Sequence, residues 1–555
     1  MSAPGQTVRT VTLAALRDQD LTTIFANPGS TEVPFLVDLP ADFDFRLALH
    51  EGSVVAMACG WAIARGQPAL VQLHTTAGLG NAVGALATAR VNRVPLVVLV
   101  GQQDRRHLAA QPFLAGHLQN LAGDYPVRVE SPACAQDVPA AVVRARHAAE
   151  HSRGPALVIV PMDDWSRPFD TQEPVPAPRR LARFTEVGDD NALLDDVAQA
   201  LTQARAPGLV VGAGADSAAA WTALRDLAER VGCPVYQESF GARAGFPQDH
   251  PLFAGHLPAE RTRLRGRLAG HDTLLVLGAP ALRQYMYAEG PLLVEGTRLI
   301  VVTEDVEEAY RAAAELALLA SVPEFASRLA QRVPARTTQW SAQRGEQPTQ
   351  PGDPADPTAE RAQDRAPEPP ASGEPLRPAH VFAALAERLP AETVLVEETP
   401  SSRPELQRLV PARHPLGFLS AAMGGLGFAL PAATGLRMGD SRRPVVAVVG
   451  DGSALYQVQA LWSAARYRVG TLFLVLSNGR YAVMDRLAGS AEPPWPDFAE
   501  VSVGALAQAL GCASRTVTTG TELHEALETT LPTLAERAEP LVLDISVSTE
   551  DIFQP

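Results

Sequence analysis

The chain has 555 residues, 46% hydrophobic and 20% charged, with a formal net charge of -15, a globular composition too long for one core and too acidic to hold phosphate backbones or anionic lipid. Nucleic acid and membrane are thereby excluded as partners, and the absence of lysine among the 47 basic residues removes chemistry that needs a Schiff-base amine. The four cysteines form no CxxC pair, so neither zinc nor a disulfide framework is expected. With no charged, then apolar leader and no apolar run of roughly 18 residues, a cytoplasmic protein is expected.

From the amino terminus, short β-rich runs alternate with alanine-rich helical stretches, the pattern of parallel α/β architecture. Strands are predicted at Leu21 to Ala26, Phe45 to Leu49, Ala69 to Leu73 and Pro95 to Val100, in a first domain over residues 1–185. Polar residues stand where these strands stop: Asn27-Pro28-Gly29-Ser30, then Glu51, His74 and Gln102-Gln103. Each has a plain structural explanation, since Ser30 can cap a helix, Glu51 can favour a helix start and His74 can sit in a turn. Their convergence on one carboxyl edge of a parallel sheet is what marks a candidate reactive site.

A second α/β domain is predicted over residues 190–335, with strands at Gly208 to Val211, Thr273 to Leu277 and Arg298 to Val302. The stretch Gly212-Ala213-Gly214-Ala215-Asp216-Ser217 follows the first of these. It lacks the third glycine of a dinucleotide fingerprint and is weak evidence for a bound nucleotide. Residues 336–377 are polar and proline-rich and read as a surface linker.

The third α/β domain, residues 378–555, carries predicted strands at Thr393 to Val396, Val445 to Val449 and Thr471 to Leu476. The second of these runs into Gly450-Asp451-Gly452-Ser453, and the third ends in Ser477-Asn478-Gly479. In a right-handed βαβ unit both strands finish at one sheet edge, so Asp451 and Asn478 should face one crevice. Their oxygens suit Mg²⁺ or Ca²⁺ bridging a diphosphate, and a helix starting at Ser453 offers free N–H groups to it. Taken alone, Gly-Asp-Gly is equally an ordinary tight turn.

The Gly-Asp-Gly turn followed 27 residues on by Asn478 resembles the thiamine diphosphate fingerprint, with Ser477 in place of its first asparagine. Asn27-Pro28-Gly29-Ser30-Thr31-Glu32, Leu73-His74-Thr75-Thr76-Ala77-Gly78-Leu79-Gly80-Asn81 and Gly424-Gly425-Leu426-Gly427-Phe428-Ala429-Leu430-Pro431 resemble stretches of the benzoylformate decarboxylase type. The resemblance implies three doubly wound parallel-sheet domains: pyrimidine-binding, middle and diphosphate-binding. It implies non-oxidative decarboxylation of a small-molecule 2-keto acid with an apolar or aromatic tail.

By the same resemblance, Glu51 activates the aminopyrimidine of thiamine diphosphate, Ser30 holds the substrate carboxylate and His74 shuttles protons. Asp451, Asn478 and the main-chain carbonyl of Arg480 are the implied ligands of Mg²⁺ (or Ca²⁺). Leu426 is the implied wedge that bends the cofactor, with Pro28, Gly29, Ser401, Gly424, Gly452, Ser453 and Tyr481 as further contacts. Phe113, Leu114, Tyr285, Val483, Met484 and Leu487 line the implied substrate pocket. The active site is implied to lie across a subunit interface, which requires a homodimer at least and in most relatives a homotetramer. Two departures stand out: Tyr285 replaces a catalytic histidine, and Pro400 a hydroxyl residue near the diphosphate. The alternatives are an acetolactate-synthase-like carboligase and a cofactor-binding protein without turnover, against which the intact Glu51 argues.

Overall fold

A computed structural model describes residues 6–170, 177–182, 188, 192–336, 367–371, 373–489 and 491–549. Most of the predicted linker lies outside the described residues. The remainder forms three six-stranded sheets in which every pairing is parallel.

The first sheet comprises β1 (Thr23–Ala26), β2 (Asp44–Leu47), β3 (Ala69–His74), β4 (Leu96–Gln102), β5 (Arg128–Glu130) and β6 (Pro155–Pro161), in the order β2-β1-β3-β4-β6-β5. The second comprises β7 (Pro207–Val211), β8 (Val235–Gln237), β9 (Phe253–His256), β10 (Thr273–Leu277), β11 (Arg298–Thr303) and β12 (Leu316–Leu319), ordered β12-β11-β10-β7-β8-β9. The third comprises β13 (Val394–Glu398), β14 (Phe418–Ser420), β15 (Val445–Gly450), β16 (Leu472–Ser477), β17 (Ala513–Val517) and β18 (Leu541–Ser546), ordered β14-β13-β15-β16-β18-β17. The first and third sheets share one plan.

Successive strand residues feed opposite faces, as the period of two requires. Val98 and Val100 enter one core while Val97 and Leu99 enter another. Val445, Ala447 and Val449 are likewise separated from Val446 and Val448. Each sheet is therefore covered on both sides, which is the doubly wound arrangement. The core holding Val98 and Val100 also holds Val445, Ala447 and Val449, so the first and third sheets share one apolar interior. At its centre the helices Glu51–Arg65 and Ala429–Gly439 cross in backbone contact. A Cβ on Gly60 would lie 2.0 Å from the Ala432 carbonyl oxygen, and one on Gly435 would lie 1.8 Å from that of Met57.

The strand ends differ from the sequence expectation for physical reasons. Phe45 to Leu49 pairs only as far as Leu47, because His50 leaves the ladder to cap the next helix, its side chain accepting from Gly52 N. The helix expected at Ser453 begins at Asp451, whose carboxylate favours the helix start. β13 runs on to Glu398, beyond the predicted Val396. Among the described residues no helix is long and apolar enough to cross a membrane.

Candidate active site

The strand order places β1, β3 and β4 side by side, so the loops after them share one edge. Glu51, the first residue of its helix, is buried, and Asn27 and Asn81 each donate from Nδ2 to one of its carboxylate oxygens at 3.1 Å. His74 ends β3, and its Nδ1 lies 2.9 Å from both Thr31 Oγ1 and Glu32 Oε2. Glu32 also accepts from Gly29 N at 2.8 Å and from the Thr31 hydroxyl at 2.5 Å. A carboxylate only accepts, so this network places the imidazole proton on Nδ1 and leaves Nε2 uncommitted. Ser30 is exposed on the same loop, beside Pro28 and Gly29. The sequence reading gave no role to Glu32 or to the two asparagines; the available signal was the place of Asn27 and Glu32 just after β1 and of Asn81 in the helix that follows β3.

In the third sheet, β15 and β16 pair directly and end together. Asp451 is buried and accepts from Gly452 N at 2.7 Å, Asn478 N at 2.8 Å and Gly479 N at 2.6 Å. Burial, aided by nearby Asp544, raises its pKa from the ordinary carboxylate value against the pull of those amides. Among the described residues no cationic side chain pairs with it. A buried carboxylate lacking a cation, beside the amide oxygen of Asn478, is the donor set that a hard divalent ion requires. Arg480 is exposed and its guanidinium pairs with Asp485 at 2.7 Å, which leaves its main-chain carbonyl as the group of interest. Tyr481 packs edge-on against Phe498 and over Gly452. Ser453 is buried in the first turn of the Asp451 helix, and Ser401 lies half-buried after β13.

The two edges are tied within one chain. Gln457, just after the Asp451 helix, accepts from Ser53 Oγ at 2.5 Å, two residues beyond Glu51. The middle domain reaches the third through Arg283, whose Nη1 donates to the Ala422 carbonyl at 3.0 Å and the Phe240 carbonyl at 3.4 Å. Tyr285 stacks edge-to-face on Phe240 with ring centroids 5.9 Å apart, and Arg403 covers that phenylalanine. Phe240, Leu282 and Met286 all hold left-handed backbone, with φ of 53°, 60° and 66°, a concentration of strain that is characteristic of functional loops.

The glycine turn after β7 is closed to a nucleotide. Gly214 N donates to the Gly278 carbonyl at 2.8 Å, and a Cβ on Gly214 would lie 2.8 Å from Gly278 Cα. The Ala213 amide is taken by buried Glu238 at 3.1 Å. Backbone thus fills the point between β7 and β10 where the strand order reverses and a pyrophosphate would bind.

The apolar candidates are not enclosed by a single chain. Phe113 is 88% exposed, Met484 and Leu487 are 44% each, and Leu114 and Tyr285 are also exposed; Val483 is half-buried. A separate group of possible metal ligands, His147, Glu150 and His151 on one helix, is already engaged, since His147 Nε2 donates to the Pro178 carbonyl and Glu150 pairs with Arg146.

Comparison with known proteins gives the same picture across the chain. Models of the thiamine pyrophosphate enzyme match in three parts: the N-terminal TPP binding domain over residues 6–124, the central domain over 194–329 and the C-terminal TPP binding domain over 401–545. The chain is 37% identical over 548 residues to benzoylformate decarboxylase of Pseudomonas aeruginosa, covering 96% of this chain and 98% of that protein. It is 24% identical over 595 residues to acetolactate synthase of Arthrospira platensis, covering 100% and 97%. Among solved structures, the thiamine diphosphate-dependent 4-hydroxybenzoylformate decarboxylase of Rhodococcus jostii RHA1 superposes with a TM-score of 0.89 at 32% identity over 99% of this chain and 100% of that one. Benzoylformate decarboxylase of Polynucleobacter necessarius gives 0.87 at 32%, covering 98% and 99%. The chain belongs to the thiamine pyrophosphate enzymes, on their benzoylformate decarboxylase branch.

Proposed function

We propose that this enzyme decarboxylates a 2-keto acid with an apolar or aromatic tail, releasing an aldehyde and CO₂. The observation that carries the reading is the joint presence, on the catalytic edge of the first domain, of a braced Glu51 and of a His74 whose proton is fixed on Nδ1. Thiamine diphosphate, when bound, would supply the electron sink for the pair left on the substrate carbon when CO₂ departs. Asp451, Asn478 and the Arg480 carbonyl would hold Mg²⁺ or Ca²⁺ for the diphosphate. Glu51 shares a proton with the pyrimidine ring, and Asn27 and Asn81 keep its carboxylate in place. The Ser30 hydroxyl binds the substrate carboxylate, and His74 exchanges a proton with the substrate oxygen through Nε2.

The active site is completed by a second copy of the chain. Thr76, Ala77, Gly80, Asn81 and Gly84 expose one small-residue face of the helix Thr75–Val91, and Met423, Tyr456, Tyr481, Met484 and Leu487 are exposed around the crevice of the third domain. So much apolar surface about a reactive edge supports a homodimer at least, and a tetramer as a pair of dimers. Domains over residues 1–185, 190–335 and 378–555, with a linker at 336–377, accord with this reading. A panel of 2-keto acids, assayed for aldehyde, CO₂ and hydroxyketone, tests it. Aldehyde and CO₂ as main products support the decarboxylase; hydroxyketone as main product moves the enzyme to the carboligases.

A further inference from the structure

Leu426 sits in a loop of low intrinsic rigidity, between Gly424 at φ 74° and Gly427 at φ 92°, conformations that only glycine adopts without strain. The helix that follows, Ala429–Gly439, has Phe428 as its N-cap, which supplies no side-chain acceptor. Its first amides need partners from elsewhere. Glu398, at the end of neighbouring β13, provides them. Its Oε1 accepts from Gly427 N at 2.6 Å, and its Oε2 accepts from Phe428 N at 2.8 Å and Ala429 N at 2.7 Å.

This carboxylate is 6% exposed, and among the described residues no guanidinium pairs with it. The nearest arginine on the adjoining helix, Arg403, pairs with Glu397 at 3.2 Å instead. Burial, with Glu397 beside it, raises the Glu398 pKa to about 7, while the three amides and the positive end of the helix favour its charged form. One of those amides, that of Gly427, lies outside the helix and directly beside Leu426. Gly427 in turn seats on Gln457, where a Cβ would come 2.6 Å from Cγ, and Gln457 holds Ser53 near Glu51. A continuous line of contacts therefore runs from Glu398 through the Leu426 loop to the Glu51 helix.

We propose that Glu398 is a positioning residue that fixes Leu426 against the cofactor by clamping the amides of Gly427, Phe428 and Ala429. The inference rests on the reading of Leu426 as the residue that bends the cofactor. Glu398→Gln keeps the size of the side chain but replaces an acceptor by a donor, and Glu398→Asp keeps the charge while shortening its reach. In cofactor-free Glu398→Gln, hydrogen exchange at the three amides should be at least about tenfold faster, since opening of a local hydrogen-bonded unit governs exchange. In the loaded enzyme kcat should fall about 10- to 100-fold, the scale of a small misplacement, with substrate KM held within about threefold. Glu398→Asp should recover part of kcat, which also serves if the glutamine variant does not fold. Faster exchange with unchanged kcat reduces Glu398 to a helix cap and overturns the proposal, as does unchanged exchange. Leu426→Ala separates the two layers: unchanged kcat there overturns the reading of Leu426 and with it this role, whereas a fall there beside normal Glu398→Gln turnover overturns the clamp alone.

Discussion

Nδ1 of His74 lies 2.9 Å from Oε2 of Glu32, a carboxylate whose side chain has no exposed surface. The pair fixes which imidazole nitrogen carries the proton. Glu32→Gln offers an amide where an acceptor is needed, either to the Thr31 hydroxyl at Oε1 or to Gly29 N and His74 Nδ1 at Oε2. The ring should lose its orientation, and kcat/KM should fall by about 10²- to 10⁴-fold, the range of a lost general acid–base contribution, with cofactor affinity little changed. Steady-state kinetics across substrate and cofactor concentration check this; a variant at wild-type kcat/KM would remove Glu32 from the mechanism.

Glu51→Gln should leave cofactor binding largely intact, because the residues proposed to hold metal and diphosphate lie on the third domain. Proton exchange at the thiazolium carbon should slow by about 10²-fold or more. Asn81→Ala frees one carboxylate oxygen and should give a smaller loss of the same kind. Exchange followed by NMR in deuterated buffer measures both, and an undiminished rate in Glu51→Gln would exclude that residue as activator.

Stripping the enzyme with a chelator should abolish turnover, and Mg²⁺ with thiamine diphosphate should restore it. Asp451→Asn keeps an acceptor but removes the charge, so it should raise the Mg²⁺ concentration for half-activation by about tenfold or more, as befits a lost charged ligand. Full activity in protein shown by elemental analysis to lack divalent metal would contradict the assignment of Asp451 and Asn478.

The parts of this site that were legible in the sequence are those where an apolar strand ends abruptly in a polar residue. His74 follows Ala69 to Leu73 and Asp451 follows Val445 to Val449, and a parallel sheet must deliver such residues to one edge. Glu398 was not legible for the opposite reason. The expected strand stopped at Val396, short of Glu397 and Glu398; both acids are buried because partners far away in sequence, Ser420 and the amides of 427–429, satisfy them. The bond from Arg283 to Ala422 is equally silent in a one-dimensional pattern. Several short strands, such as β5 and β8 with three residues each, fall below the length at which periodicity speaks.

Buried Glu238 yields a prediction about pH. Burial, its largest perturbation, raises its pKa to about 7 from an ordinary value of 4.5, with Arg283 and the Ala213 amide opposing. A raised carboxyl favours its neutral form in the fold. Its contribution to stability is fully present below about pH 4.5 and is lost as pH rises through about 7. Glu238→Gln keeps the acceptor for Ala213 and removes the ionisation, so the variant should melt higher than wild type at pH 8 and similarly at pH 5. The difference should be roughly 2–4 °C for each kcal/mol recovered in a domain of this size. A melting difference independent of pH would show that Glu238 does not titrate in this range.

The substrate preference follows from side chains that one chain leaves uncovered. Phe113, Leu114, Met484 and Leu487 are apolar and exposed in a single copy, with Val483 half-buried beside Met484, so a long substrate tail has surface to bury in the proposed assembled site. Each buried methylene contributes about 0.8 kcal/mol, close to fourfold in specificity constant. Benzoylformate and a branched aliphatic keto acid should therefore exceed pyruvate in kcat/KM. Phe113→Ala should lower the advantage of benzoylformate while changing pyruvate little, because a methyl group does not extend to that ring. Tyr285 offers a phenol where the family pattern has an imidazole, and a phenol is the poorer proton shuttle. Aldehyde release should be slow enough for a second aldehyde to be captured, and Tyr285→His should shift products from hydroxyketone toward free aldehyde. A preference for pyruvate would refute the pocket assignment, and an unchanged product ratio in Tyr285→His would detach that residue from the partition between release and ligation.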